Sequence, residues 1–246
     1  MAGYNSRMAV PDNGVARLRA YNPRLFILLL KGAILMLTQA AQQALSILRD
    51  GNQYQWYVVP LLVLVLYVYS VEVERRNWSL VLAGLAFWGM DWINEIINSA
   101  ILHISGYAPV WGAPGKTAYL VMVGLNIEIC FMFAILGIVA CKMLPKERNL
   151  RILGMPNRLF FALLGSIVCV LVEYQLNAIG VLTWDYSWWN RGTPWLIVLL
   201  GYSTFFLVCY FVYDLESRKQ QLKVLGAVYG TAGAGMLALG GGLGWL

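Results

Sequence analysis

The sequence predicts an all-α, polytopic integral membrane protein built as a bundle of seven transmembrane helices. Three observations carry this. Apolar residues make up 60% of the chain and charged residues only 12%, against roughly 25% charged in an ordinary soluble domain. Apolar runs close to the ~20 residues that cross a bilayer recur along its whole length. Lysine and arginine alternate between the intervening loops: fourteen fall in the N-terminus and the loops after the second, fourth and sixth runs, and three in the opposite loops. That alternation is the positive-inside pattern. It sets the N-terminus in the cytoplasm and the C-terminus outside or in a lumen.

The runs lie at about 25–46, 55–72, 79–104, 117–143, 158–182, 194–214 and 223–244. Turn-formers and charges mark the breaks: RDGNQ, EVERRN, GYAPVWGAPGK, LPKERNLRILGMPN, DYSWWNRGTP and LESRKQQLK. The domain organisation expected is a basic cytoplasmic segment, 1–24, followed by a single seven-helix domain, 25–246. Arg7, Arg17, Arg19 and Arg24 precede the first run, which reads as a retained anchor and not a cleaved signal. Gly226 and Gly230 form a GxxxG pair in the last run, suited to close helix packing. The membrane implied is a bacterial inner membrane or the endoplasmic reticulum.

Net charge +6 is explained by topology and does not point to nucleic acid. Cys130, Cys141, Cys169 and Cys209 lie in apolar runs without metal-finger spacing and read as small buried hydrophobes. His103 is the one histidine, so haem pairs and histidine-rich metal centres lack ligands; it reads as an interfacial hydrogen-bonding residue. No phosphate-binding glycine loop, nucleophile elbow or zincin motif occurs.

The functional signal is DWINEIINSAILH, 91–103, inside the third run. Asp91, Asn94, Glu95 and Asn98 recur at i, i+3, i+4 and i+7, one face of a helix. Counting depth at 1.5 Å per residue sets Glu95, Glu128 and Glu173 in one layer, roughly 15 Å below the outer surface. Asp91 falls one turn deeper, with Asn98 and Asn177 one turn shallower. Facing lipid, an acid costs about 2.5–3.5 kcal/mol on insertion scales, so these helices are expected to turn their acids onto one internal site. Carboxyls that share a dry site repel and retain a proton between them, which makes a general acid available. The plainer alternative is a set of interhelical hydrogen bonds that fix packing and bind nothing.

Trp184, Asp185, Tyr186, Trp188, Trp189 and Trp195 cluster at the outer boundary. They read as an aromatic belt, or as a lid whose rings would stabilise a carbocation. No cofactor is expected. A carboxylate–amide set also suits a hard divalent cation such as Mg²⁺, which is kept as the alternative.

From Tyr69 to Ile135 the sequence resembles the small integral-membrane terpene cyclases of fungal meroterpenoid pathways. YSVEVERRNWSLVLAGLAFWGMDWINEI (69–96) and GLNIEICFMFAI (124–135) carry the likeness, in order and spacing. The resemblance implies that Glu95 is the essential glutamate. It would act as, or position, the acid that protonates an epoxide or alkene, and a carboxylate would remove the last proton. Two departures stand out. Glu128 occupies a position that is small in that family, and no acid follows Glu216 to match the family's second essential acid in its last span.

The expected function is therefore an integral-membrane enzyme acting on an isoprenoid-type hydrophobic substrate drawn from the bilayer. Its catalytic candidates are Glu95 as proton donor, Asp91 tuning it, and Glu128 and Glu173 as base and electrostatic stabilisers. Asn94, Asn98, Asn126, Asn177, Trp92, Trp184, Asp185 and Tyr202 are the candidates for substrate binding. The alternatives are a proton- or cation-coupled transporter using the same carboxylates, and a non-catalytic subunit of a membrane complex. The bilayer and a hydrophobic small molecule are the expected partners, with a homo-oligomer as a further option. A pocket shut to both aqueous sides but open to lipid would favour the enzyme.

Overall fold

The computed structural model describes residues 36–246. The expected N-terminal segment, 1–24, and the first half of the first run, 25–35, lie outside the described residues. Where the first run enters view it is interrupted. Thr38 is extended (ψ 156°), and its hydroxyl caps a separate helix, α1 (Gln39–Ile47), by accepting from the Ala41 N–H at 3.2 Å. At nine residues, α1 reaches about 14 Å, too short to cross a bilayer.

Six longer helices follow: α2 (Val58–Glu74), α3 (Trp78–Ser105), α4 (Ile127–Lys142), α5 (Asn157–Ala178), α6 (Pro194–Asp214) and α7 (Arg218–Gly242). Four of them, α3, α5, α6 and α7, are long and apolar enough to cross a membrane. At 17 and 16 residues, α2 and α4 span about 25 Å each, a little under a ~30 Å hydrocarbon core. The helical membrane class is as expected; among the described residues the strands are confined to two short hairpins. β1 (Leu120–Met122) pairs with β2 (Leu125–Asn126), and β3 (Arg151–Ile152) with β4 (Met155–Pro156). The second hairpin turns through Leu153 and Gly154, both at positive φ (52° and 79°), which a two-residue hairpin turn demands.

α3 is the central post, packed against α4, α6 and α7. Small residues let the backbones close in. A Cβ on Gly137 would lie 3.0 Å from the Gly84 Cα and 2.6 Å from the Phe87 Cβ, and one on Gly89 would lie 2.6 Å from Val228. The GxxxG pair behaves otherwise: nothing lies within 4 Å of a Cβ on Gly226 or Gly230. Among the described residues that pair makes no close packing contact, and α7 turns Val228 and Ala232 inward instead.

The two ends of the bundle differ in chemistry. At one end sit the ion pairs. Glu72, buried, meets Lys142 at 2.5 Å; Arg158 grips Asp214 with two nitrogens at 2.8 Å each; Arg218 lies 4.3 Å over the Trp78 ring. At the other end, α1 and the segments 106–126 and 179–193 knit into a cap. Gly112 and Thr183 exchange backbone hydrogen bonds at 3.0 and 2.8 Å, and the Arg49 N–H donates to the Leu120 carbonyl at 2.9 Å. Segment 106–126 is buried at Ala108, Val110, Ala113, Ala118, Leu120 and Leu125.

This segment corrects one expected span. The run 117–143 is not a continuous helix: residues up to Asn126 belong to the cap, and α4 begins at Ile127. Asn126 is the cap residue of α4, its Oδ1 accepting from the Ile129 N–H at 2.8 Å. Cys141 and Cys209, on separate helices, meet with their sulfurs 3.4 Å apart in the core between α4 and α6.

Candidate functional site

α3 turns its polar stripe inward. Asp91, Glu95 and Asn98 are 2%, 3% and 0% exposed. Asp91, Asn94 and Glu95 line a cavity of about 160 Å³ closed by α4, α5 and α6. Glu173 enters it from α5 and Tyr202 from α6, where the phenol meets the Glu173 carboxyl. Tyr202 ends a π-helical turn, Ile197–Tyr202, inside α6; such turns occur mostly as local insertions at functional sites. The remaining wall is hydrocarbon and ring: Ile129, Met132, Phe133, Leu136, Val168, Val172, Leu176, Ile197 and Phe205. Phe133 and Phe205 stack at 5.6 Å between centroids.

The cap supplies the roof. Trp111 and Trp189 come from its two loops, 6.0 Å apart. Trp111 reaches down so that its indole N–H donates to Glu95 Oε1 at 2.5 Å. Asn98 holds the loop that carries it: its Oδ1 accepts from the Val110 N–H at 2.7 Å, and its Nδ2 donates to the Trp111 carbonyl at 2.7 Å. Gly124 makes room, since a Cβ there would lie 2.5 Å from the Trp111 ring and from the Asn98 amide nitrogen. On the lateral side, the half-exposed Met132 of α4 and Val168 and Val172 of α5 form the cavity rim. These exposed apolar side chains set a hydrocarbon rim between α4 and α5.

Buried polar atoms without a hydrogen-bond partner are rare in folded proteins, and each asks for an explanation. Four gather on this cavity: Asp91 Oδ2, Asn94 Nδ2, Glu95 Oε2 and Glu173 Oε2. Among the described residues, no three His, Cys, Asp or Glu side chains converge closely enough to hold a metal ion. The acids thus line the cavity side by side without forming a chelate.

The expected site residues divide accordingly. Asp91, Asn94, Glu95, Glu173 and Tyr202 come together. Asn98 supports the roof from behind. Glu128 does not join them: because α4 starts late, it stands on the first helical turn and turns away from the cavity. There it accepts from the Thr117 hydroxyl at 2.6 Å, the Ala118 N–H at 2.9 Å and the Tyr57 hydroxyl. Asn126 caps α4, and Asn177 closes the end of α5 by donating to the Leu182 carbonyl at 3.0 Å. Trp92 packs edge-on to Trp88 in a neighbouring core, and Trp184 edge-on to Tyr174. Asp185 accepts from the Thr38 hydroxyl at 2.7 Å. None of these last five lines the cavity. His103 stacks flat on Trp245 at 5.4 Å, away from the site. The residues that sequence reasoning missed are Trp111, Gly124, Phe133 and Phe205. Phe133 sits in the quoted GLNIEICFMFAI and was within reach; Trp111 sits in a loop with no periodicity to give its direction.

Fold and site define a polytopic helical membrane protein with a buried, acid-lined cavity beneath an aromatic roof. The chain belongs to an uncharacterized membrane protein family, matched over residues 38–241, a range that holds every residue of the cavity. It is 55% identical over 189 residues to an uncharacterized protein of Archaeoglobus fulgidus, covering 77% of this chain and 90% of that one. A second uncharacterized protein of the same organism is 43% identical over 53 residues, 22% of this chain and 95% of the relative. No solved structure matches.

Proposed function

We propose that this protein is an integral-membrane enzyme that performs acid-initiated chemistry, of the terpene-cyclase kind, on an isoprenoid-type substrate entering from the bilayer. One observation carries the reading: a mostly hydrocarbon cavity holds three acids with unpartnered oxygens, is roofed on its capped end, and has its rim between two helices. A coupled transporter needs aqueous access to its carboxylates from alternating sides; a rim lined by Met132, Val168 and Val172 suits a lipid-borne molecule instead.

The roles follow from the hydrogen bonds. Glu95 is engaged on Oε1 by the Trp111 N–H, a donor that favours a carboxylate at that atom. Asp91, one turn away, has no donor on Oδ2, so a proton is best kept there, facing the Glu95 charge. Asp91 therefore takes the proton-donor role first expected of Glu95, with the Glu95 carboxyl one helical turn away on the same cavity. Protonation of an alkene or epoxide leaves a cation, for which the faces of Phe133, Phe205 and Tyr202 are suitable neighbours. Glu173 then accepts the proton released on quenching, and its passage from Glu173 by way of the Tyr202 hydroxyl to the Asp91 carboxylate, all three on the one cavity, restores the acid. The two segments that carry the likeness to terpene cyclases supply Asp91, Glu95, Gly124, Ile129, Met132 and Phe133 to this one cavity. Glu173 stands in for the acid that family carries in its last span.

In the same reading α2–α7 all cross the membrane, and the end bearing Lys142, Arg158 and Arg218 is cytoplasmic. The decisive experiment is lipid extraction and mass spectrometry of cells expressing the wild type, Asp91→Asn or Glu173→Gln at matched levels. A species formed by the wild type should disappear in both variants. Identical lipid profiles in all three would remove the enzyme reading.

A further inference from the structure

A second apolar hollow, of about 310 Å³, runs between α2 and α4. Its walls are Leu61 and Leu64 from α2 and Phe131, Ile135 and Val139 from α4, and Met132 and Leu136 line both this groove and the acidic cavity. The two hollows thus meet at one ridge of two side chains. From Glu128 to Val139 the groove follows α4 for about 16 Å. Glu128 closes its capped end with its oxygens already taken by Tyr57, Thr117 and Ala118, so that end offers no ready polar recognition. The cavity alone, near 160 Å³, is smaller than the ~300–1,000 Å³ of typical small-molecule sites; with the groove it reaches that range. Among the described residues lining the cavity none is Lys, Arg or His. A diphosphate would find no countercharge there, whereas a hydroxyl or epoxide oxygen can use Asn94 Nδ2 and the free carboxyl oxygens.

Resting on the enzymatic reading above, we infer that cavity and groove are two compartments of one binding site for a long-chain, uncharged isoprenoid. The oxygen-bearing reactive end enters the cavity, and the hydrocarbon tail crosses the Met132–Leu136 ridge to lie between α2 and α4. The groove sets substrate length, and the cavity recognises the head.

The test uses the full chain in nanodiscs and two tritiated probes, geraniol and geranylgeraniol, which differ only by two isoprene units of tail. Leu64→Trp and Val139→Trp fill the groove from opposite walls. Both side chains already face outward, at 49% and 43% exposure, so the bundle tolerates the larger ring. Each variant should weaken geranylgeraniol binding at least about tenfold, the factor that burial of two methylenes alone supplies, and leave geraniol within about twofold. Equal loss of both alcohols, or loss of neither, overturns the groove assignment. In that case, equal weakening of both alcohols in Asn94→Leu keeps the cavity as the head site. Failure of geraniol to bind the wild type overturns the groove and the cavity together.

Discussion

Gly124→Ala should loosen the roof of the cavity with no change in charge or hydrogen-bonding capacity. The new Cβ would sit 2.5 Å from Trp111 Cδ1 and Asn98 Nδ2 and 2.6 Å from Trp111 Nε1. Carbon contacts settle at about 3.5–4.0 Å, so roughly 1 Å has to be found. Asn98 cannot yield, as it is fully buried and holds Val110 and Trp111. The indole gives way, and its 2.5 Å bond to Glu95 stretches to about 3.5 Å, the limit of a hydrogen bond. Losing a hydrogen bond to a charged, buried acceptor costs about 1.5–3 kcal/mol. At ~2–4 °C per kcal/mol for a domain of this size, the melting point should fall by roughly 3–12 °C. Thermal melts in detergent followed by tryptophan fluorescence measure this. Gly226→Ala and Gly230→Ala are the controls. A Cβ meets nothing within 4 Å at either site, so each should melt at or slightly above the wild type, since alanine favours a helix by about 0.5–1 kcal/mol over glycine. Gly124→Ala melting with the wild type, or Gly226→Ala melting as low as Gly124→Ala, would refute the reasoning.

Asn98→Ala should be costlier. It strands the buried Val110 N–H and Trp111 carbonyl, at about 1–3 kcal/mol each, so a drop larger than that of Gly124→Ala is expected in the same melts. A smaller one would mean that the loop is held elsewhere. Lys142→Met removes the nearest ion-pair partner of Glu72, whose side chain is 2% exposed, and leaves it Arg75 at 3.7 Å and the Asn77 amide at 3.1 Å. Because Lys142 itself is 48% exposed, solvent screening limits the cost to about 1–2 kcal/mol. Adding Glu72→Gln should recover most of it, and a double-mutant cycle with no coupling would sink the ion-pair reading.

Much of the fold was legible because lipid and protein core ask for the same thing, a long apolar helix. The expected runs 79–104 and 194–214 coincide with α3 and α6 to within a residue. The error at 117–143 has the same origin. TAYLVMVGLN (117–126) is as apolar as a membrane helix, but it forms a buried hairpin and loop in the cap. Hydropathy registers burial and cannot say which backbone conformation is being buried. The GxxxG pair misled for a related reason: small residues permit a close approach, and only the partner helix decides whether one occurs.

For the site, depth counting worked where the helix was read correctly and failed where it was not. Glu95 and Glu173 share the cavity because α3 and α5 run continuously past it. Glu128 was counted into the layer on the strength of ten residues of helix that belong to the cap. Glu128 instead fastens the cap to α4 and has no part in the cavity. What no periodicity could supply is the indole that engages Glu95, since Trp111 lies in a loop aimed by Asn98 and admitted by Gly124. Those two are joined to the acid by geometry alone. Asn98 shares the polar stripe of Asp91 and Glu95, and it uses the same helix face to build a roof over them. A stripe that first reads as four equivalent polar residues is thus divided by depth, with Asp91, Asn94 and Glu95 turned toward the cavity and Asn98 toward the structure that encloses it.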